Sequence, residues 1–330
     1  MMMNHTEAAR LTSPSLKPCR AVLIPDEGMS ALSEDYFRSA HHLRAEGATH
    51  TLVIEDGAGR ALRVPLIVRP IDGTPYHDAI SPYGYPGGRL DGLNDVPKDA
   101  VDWTDTGLVS LFVRDRVVGP QCFAGGTERN AVFFIDPRLP IEFQAEARRQ
   151  MRRNTRLGFV STCVPMREAS HEEREGFKDV YRQTMVRDGA QSRYFFSDAY
   201  FEELFSSPVA WLATTRAPDG HIASSGVGVT SDGVLHYYLG GTADADLARS
   251  PAKNTVFGAL VELGTQLGLP FHLGGGVKPG DGLEQFKRSF SNASSHLHTH
   301  EVICEPTVYA RLSEGRGDKG FFPAYRAPGN

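Results

Sequence analysis

Among the residues able to do chemistry, Lys287 is singled out because it falls on a face that packing logic would reserve for leucine. Residues 273–290 read LGGGVKPGDGLEQFKRSF. Taken as a helix starting after Asp281, the segment sets Leu283, Phe286 and Phe290 on one side, since residues three, four and seven apart share a face. Lys287 falls within about 40° of Leu283 on the wheel, while Gln285 and Arg288 point away. An ammonium on a packed edge is a candidate catalytic or charge-stabilising group. It follows Gly274, Gly275 and Gly276, where the backbone can approach a ligand closely. The competing reading is a lysine whose stem covers the core while its head reaches solvent.

A second constellation is basic. In residues 141–158, IEFQAEARRQMRRNTRLG, Arg148, Arg149, Arg152, Arg153 and Arg156 occupy about 140° of a helix, with Phe143, Ala147 and Met151 opposite. Guanidinium groups so arrayed hold phosphates bidentately and give salt-dependent affinity for RNA. The alternative is a solvated face, partly neutralised by Glu146 pairing with Arg149. His296, His298 and His300 alternate along a predicted strand and share a face. With no carboxylate or cysteine placed beside them, a solvent-facing strand edge is expected rather than a metal site. No serine, histidine and aspartate set can be assembled.

The elements that position these residues follow from pattern. Strands are expected at 21–24, 49–56, 60–71, 131–136 and 159–165, with a helix starting from a cap at Ser33 and a second helical stretch before 131–136. The run DAISPYGYPGGRLDG, dense in Pro and Gly, is expected to be irregular, its Tyr83 and Tyr85 suiting the floor of a substrate groove. Helices at 171–188 and 198–206 precede strands at 210–216, 221–230 and 234–241, with hairpin turns at Asp219-Gly220 and Asp232-Gly233. A helix over 254–268 carries Val256, Leu260, Leu263 and Leu267 on one face, and 271–275 reads as a buried strand.

Several of these stretches resemble the Fem family. They are TMVRDG (184–189), YFFSDAYFEEL (194–204), HYYLGG (236–241), LGGG followed by D-x-L-x-x-FK-x-x-F, and, more loosely, SPYGYPGG (81–88). Members are aminoacyl-tRNA-dependent aminoacyltransferases. The resemblance implies an α+β chain of two tandem GNAT-like domains, each a mixed, mostly antiparallel sheet flanked by helices, without the coiled-coil insertion of staphylococcal members. It implies a charge-stabilising role for the lysine of the pair Phe286-Lys287. Arg187 matches an arginine that contacts a phosphate-bearing acceptor, against the reading of a helix C-terminal arginine with Gly189 as the cap. Tyr194 and Tyr238 line the groove or pack. Asp91 stands where some members carry a conspicuous acid, although turn aspartates are common on surfaces.

Acetyl-CoA-dependent GNAT enzymes cradle pyrophosphate with a glycine-containing turn after the strand here reading HYYLGG. In this chain that place is filled by TADADLARSPAKN, which has no glycine. The expected donor is therefore an aminoacyl ester, with aminoacyl-tRNA as co-substrate and no further cofactor. Such an ester is already activated, so an enzyme must mainly orient the partners and stabilise developing negative charge.

Bulk properties fit this picture. The 330 residues allow two domains, expected at 20–157 and 158–312, with a disordered leader at 1–19 and a mobile tail at 313–330. A net charge of -5 excludes a generic nucleic-acid coat and makes RNA contact a local matter. No apolar run reaches the roughly 20 residues of a membrane span. The four cysteines show no C-x-x-C pair, so a reduced, cytoplasmic protein is expected. The acceptor implied by the family is a free amine on a peptidyl natural-product intermediate or on a muropeptide. A thioester-dependent acyltransferase and a non-catalytic RNA- or precursor-binding protein are the rivals.

Overall fold

The structure is a computed structural model that describes residues 19–26, 31–276, 280–316 and 320–327. All of the expected leader except Cys19 lies outside them. The described strands are β1 Cys19–Pro25, β2 His50–Glu55, β3 Ala61–Pro70, β4 His77–Ile80, β5 Arg89–Asp91, β6 Val101–Asp102 and β7 Leu108–Arg114. They continue with β8 Thr127–Ile135, β9 Val160–Pro165, β10 Ala210–Arg216, β11 Ile222–Ser231, β12 Val234–Thr242, β13 Phe271–Gly274 and β14 Ala293–Ile303. All join one mixed sheet in the order β6-β1-β2-β3-β4-β7-β14-β8-β13-β12-β11-β10-β9, with β5 beside β3. The described helices are α1 Ala40–Ala45, α2 Ala145–Arg156, α3 His171–Arg187, α4 Asp198–Ser206, α5 Ala252–Asn254, α6 Val261–Leu267, α7 Gly282–Arg288 and α8 Pro306–Ser313. A π-helical stretch, Thr255–Leu260, joins α5 to α6.

Local chemistry explains many of the boundaries. Asp232 and Gly233 both take positive φ, 52° and 72°, as a two-residue hairpin between β11 and β12 requires. Ser170 and Glu173 form a reciprocal capping box that starts α3. In the first half, the cap is Ser39 rather than Ser33; Ser33 instead bonds Asp35 and Arg38. The second helical stretch expected before β8 is absent from the described residues. Its place holds 3-10 turns and β7, whose LVSLFVR is buried on both faces and so lacks a clean alternation. Within the irregular run, 78–80 and 89–91 belong to β4 and β5, leaving 81–88 as the loop.

The histidine strand is not an edge. β14 lies between β7 and β8, in the middle of the sheet. A register shift between His296 and His298 gives the three imidazoles different surroundings. His296 is exposed, whereas His300 is fully buried with Nε2 2.8 Å from Asp115 Oδ2. Alternation tells which residues share a face; only tertiary pairing tells what covers it.

Apolar layers hold both faces. Leu52, Ile54, Leu62, Val64 and Phe123 form a core in the first half. Tyr36 and Phe37 join Phe177, Tyr181, Phe201 and Leu239 in a layer shared by both halves. A third layer packs Phe257, Leu260, Phe271 and Phe290 with Ala147 of α2. Val256, Leu260 and Leu263 are buried as their spacing predicts, but Leu267 is exposed at the helix end. The described part of the tail is docked: Tyr325 packs with Ile71 and Val109, and Arg326 pairs with the buried Asp78.

Candidate active site

The site is built where two strands part. β12 and β13 run parallel and pair only at Leu235 with Phe271 and His236 with His272. Beyond that point Tyr238 is an extra residue opposite β11, a bulge that bends β12. The loop 81–88 enters this opening. Its Gly84 has φ +90°, and a Cβ there would lie 2.4 Å from the Phe37 ring, so only glycine fits. Arg38 Nη1 donates to Pro86 O at 2.7 Å, His42 Nε2 to Tyr83 O at 3.0 Å, and Tyr83 N to Glu46 Oε2 at 3.1 Å. Tyr85 is thereby stacked on His236, centroids 5.6 Å apart, and set edge-on to His272 at 5.0 Å.

Lys287 reaches the same place from α7. Asp281 caps that helix by accepting Glu284 N at 2.7 Å, and Phe290 anchors its end by stacking on Phe257, centroids 3.8 Å apart. The packed side differs from the expected one. Glu284 and Phe290 are buried, whereas Leu283 and Phe286 are 44% and 41% exposed. A helix of seven residues is too short for its wheel to fix which neighbour it meets, and here it turns Lys287 toward β13. Lys287 Nζ donates to Gly275 O at 2.9 Å.

Gly274, with φ +77°, is where the reactive groups converge: a Cβ there would lie 3.1 Å from Lys287 Nζ and 3.9 Å from Tyr85 Oη. Gly275 and Gly276 are needed for packing, since Cβ atoms there would strike Ala131 O at 2.4 Å and Asp281 Oδ1 at 2.5 Å. Burial pushes Lys287 down to about 8, partly opposed by the charge of Asp281.

Two buried histidines floor the site. His236 Nε2 lies 3.2 Å from Ser231 O and must donate to it. Its Nδ1 then accepts from His272 Nδ1 at 3.1 Å, which leaves the His272 Nε2 lone pair buried and without a partner among the described residues. Burial lowers both, His236 to about 4, so both are neutral near pH 7. Neither was singled out from sequence, although each sits in a quoted motif, HYYLGG or the FHLGG strand.

The tyrosines are brought together. Tyr83 lies 6.0 Å from Tyr194 and 6.3 Å from Tyr238, centroid to centroid. The Tyr238 hydroxyl bonds that of Tyr200, which donates to Glu46 Oε1 at 3.0 Å. Burial raises Glu46, an effect partly offset by the amide of Tyr83 and the hydroxyl of Tyr200. Glu46 too escaped the sequence reading, because a single glutamate at a helix end carries no local signal.

Other predicted residues lie elsewhere or are otherwise occupied. Arg187 pairs with Asp244 at 2.5 Å and donates to Thr242 O at 3.2 Å, tying α3 to the end of β12. Asp91 holds Arg63 and Arg89. Arg148, Arg149, Arg152, Arg153 and Arg156 are all exposed on α2, with Ala147 buried beneath them and Arg149 paired to Glu146.

The fold has a parallel in known proteins. Residues 142–288 match the family model described as an acetyltransferase (GNAT) domain. FemX superposes with a TM-score of 0.57 over 79% of this chain and 89% of its own, at 10% identity. L-PGS from Bacillus licheniformis does so with a TM-score of 0.53, over 82% and 89%, at 14% identity. No curated protein matches in sequence. The fold is thus a mixed α+β arrangement around a long sheet, shared with FemX. Among the described residues no helix is long and apolar enough to cross a membrane.

Proposed function

We propose that this protein is an aminoacyl-tRNA-dependent aminoacyltransferase that joins a tRNA-borne amino acid to the free amine of a peptidyl acceptor, a natural-product intermediate of peptidyl nucleoside type. The observation that carries the reading is the convergence of the desolvated Lys287 ammonium and the Tyr85 hydroxyl on Gly274, at the parting of β12 and β13. The acceptor amine attacks the ester carbonyl, the C–O bond to the terminal ribose breaks, and the amine proton is transferred to the leaving ribose oxygen. Lys287 hydrogen-bonds the developing oxyanion or the leaving oxygen, a role in which a fixed donor in a dry site is worth far more than in water. With its ionisation near 8, it also gives up and regains a proton readily. Tyr83, Tyr85, Tyr194 and Tyr238 line the acceptor groove, and the arginines of α2 meet tRNA phosphates.

The GNAT domain match favours a second reading, acyl transfer from a coenzyme A thioester. Against it stands the turn after β12. It is a 3-10 stretch, Asp244–Arg249, followed by Ser250 at φ 46° and by Pro251, which lacks an amide hydrogen. A muropeptide acceptor is the alternative within the first reading. The test is product formation from purified protein, acceptor and charged tRNA, read by mass spectrometry. Ribonuclease should abolish it, and equal acylation from acetyl-CoA without tRNA would refute the proposal.

A further inference from the structure

A cavity of about 710 Å³ lies under the docked tail, with a lining that includes none of the residues of the Lys287 site. Its walls come from β3, β7 and the segment 321–326, and Arg193 enters from the stretch before α4. Five arginines line it: Arg69, Arg114, Arg193, Arg316 and Arg326. Two are accounted for, since Arg69 and Arg326 both grip Asp78, which is 0% exposed.

The other three have no carboxylate within 4 Å among the described residues. Arg114 donates to Ser81 O at 3.3 Å and lies 5.4 Å from the centre of the Phe112 ring. Arg193 lies 5.0 Å from that of Tyr194, and Arg316 donates to Ala327 O at 3.4 Å. Arg193 and Arg316 are exposed and Arg114 is half-buried, and Asp72 is the one carboxylate in the lining, so the like charges gathered around the cavity repel one another. An anion entering the cavity would relieve that repulsion. Phe112, Phe322 and Tyr325 supply apolar surface beside the charges, and the volume suits a ligand of small-molecule size. Arg114 also links the cavity to the transfer site, because its charge acts on Tyr83, Tyr85 and Glu46.

We propose that this cavity binds the oxyanion, carboxylate or phosphate, of a small organic ligand that bears an apolar or aromatic group. On the aminoacyl-transfer reading above, on which this assignment rests, that ligand is the acceptor, held at its acidic end while its amine reaches Lys287.

The test is isothermal titration of the full chain with phenyl phosphate and with benzoate, in the absence of tRNA. At least one probe should bind with one-to-one stoichiometry, and the tighter one names the anionic group. Arg193→Ala and Arg316→Ala should each weaken it about tenfold or more, the loss expected for a hydrogen bond to a charged group. Thermal midpoints unchanged from wild type would verify that both variants fold. An unchanged Kd in the double variant, or no binding of either probe at millimolar concentration, overturns the proposal. Displacement of the probe by uncharged tRNA would assign the oxyanion to the tRNA backbone and overturn the acceptor assignment. A protein that binds the probe but shows no tRNA-dependent transfer upholds the cavity and refutes the transfer reading; transfer without probe binding does the reverse.

Discussion

At the scale of single residues, the proposed transfer turns on Lys287. Removing a donor aimed at developing charge costs about a hundred- to a thousand-fold in rate, so Lys287→Ala should lower kcat by that much with little change in KM for tRNA. Lys287→Arg should recover only part of it, since a planar guanidinium cannot occupy the place of a compact ammonium beside Gly274 and Gly275. The burial that lowers Lys287 to about 8 sets the pH dependence. If the protonated form acts, the wild-type rate should fall as pH rises through about 8, and the residual rate of Lys287→Arg should lack that limb. A linked effect appears in stability. Because the folded state lowers this pKa from 10.5, the unfolded chain binds more protons between about 8 and 10.5, and stability rises with pH across that window. Lys287→Met should therefore raise the thermal midpoint at pH 7, with the gain shrinking as pH approaches 10.5. A gain that does not change with pH would refute the desolvated-lysine assignment.

At the scale of elements, α2 offers the cleanest experiment. Its arginines are exposed and only Arg149 has an ion-pair partner among the described residues, so they contribute little to the fold. Replacing Arg152 and Arg153 with alanine should weaken tRNA binding and reduce the slope of log K against log salt by about one per lost contact. Thermal stability should stay within about 0.5 kcal/mol of wild type, as for surface changes away from packed features. A salt slope identical to wild type would make α2 a solvated face.

At the scale of the whole molecule, a buried charge network joins distant parts of the chain. Arg38, 2% exposed, bonds Asp35, Asp232 in the β11–β12 turn and Pro86 O in the tyrosine loop, and Arg116 pairs with Asp232 as well. Breaking such a network from one side leaves Asp35 without its guanidinium and Asp232 with Arg116 alone. Arg38→Ala should cost on the order of 3 to 5 kcal/mol in urea unfolding. It should also loosen Tyr85, so transfer should fall even at temperatures where the variant remains folded. A variant with wild-type stability would show that water replaces the guanidinium there.

Much of this protein was legible in its sequence, because period and punctuation are local. The hairpins at Asp219-Gly220 and Asp232-Gly233, the capped α3, the arginine face of α2 and the cap of α7 at Asp281 all follow from residues within a few positions of one another. The Tyr83, Tyr85 and Lys287 motifs were found in the same way. What covers each face was not legible, because burial is set by partners distant in the chain. β14 reads as an edge by its histidines yet lies between β7 and β8, and His300 meets Asp115 across 185 positions. Arg187, a plausible ligand contact by motif, is engaged by Asp244. The His236–His272 pair, Glu46 and the arginine cavity depend on strands and loops that meet only once the sheet has closed. Sequence determined the helices, turns and reactive side chains; tertiary packing decided which were desolvated, which were paired, and which converged on Gly274.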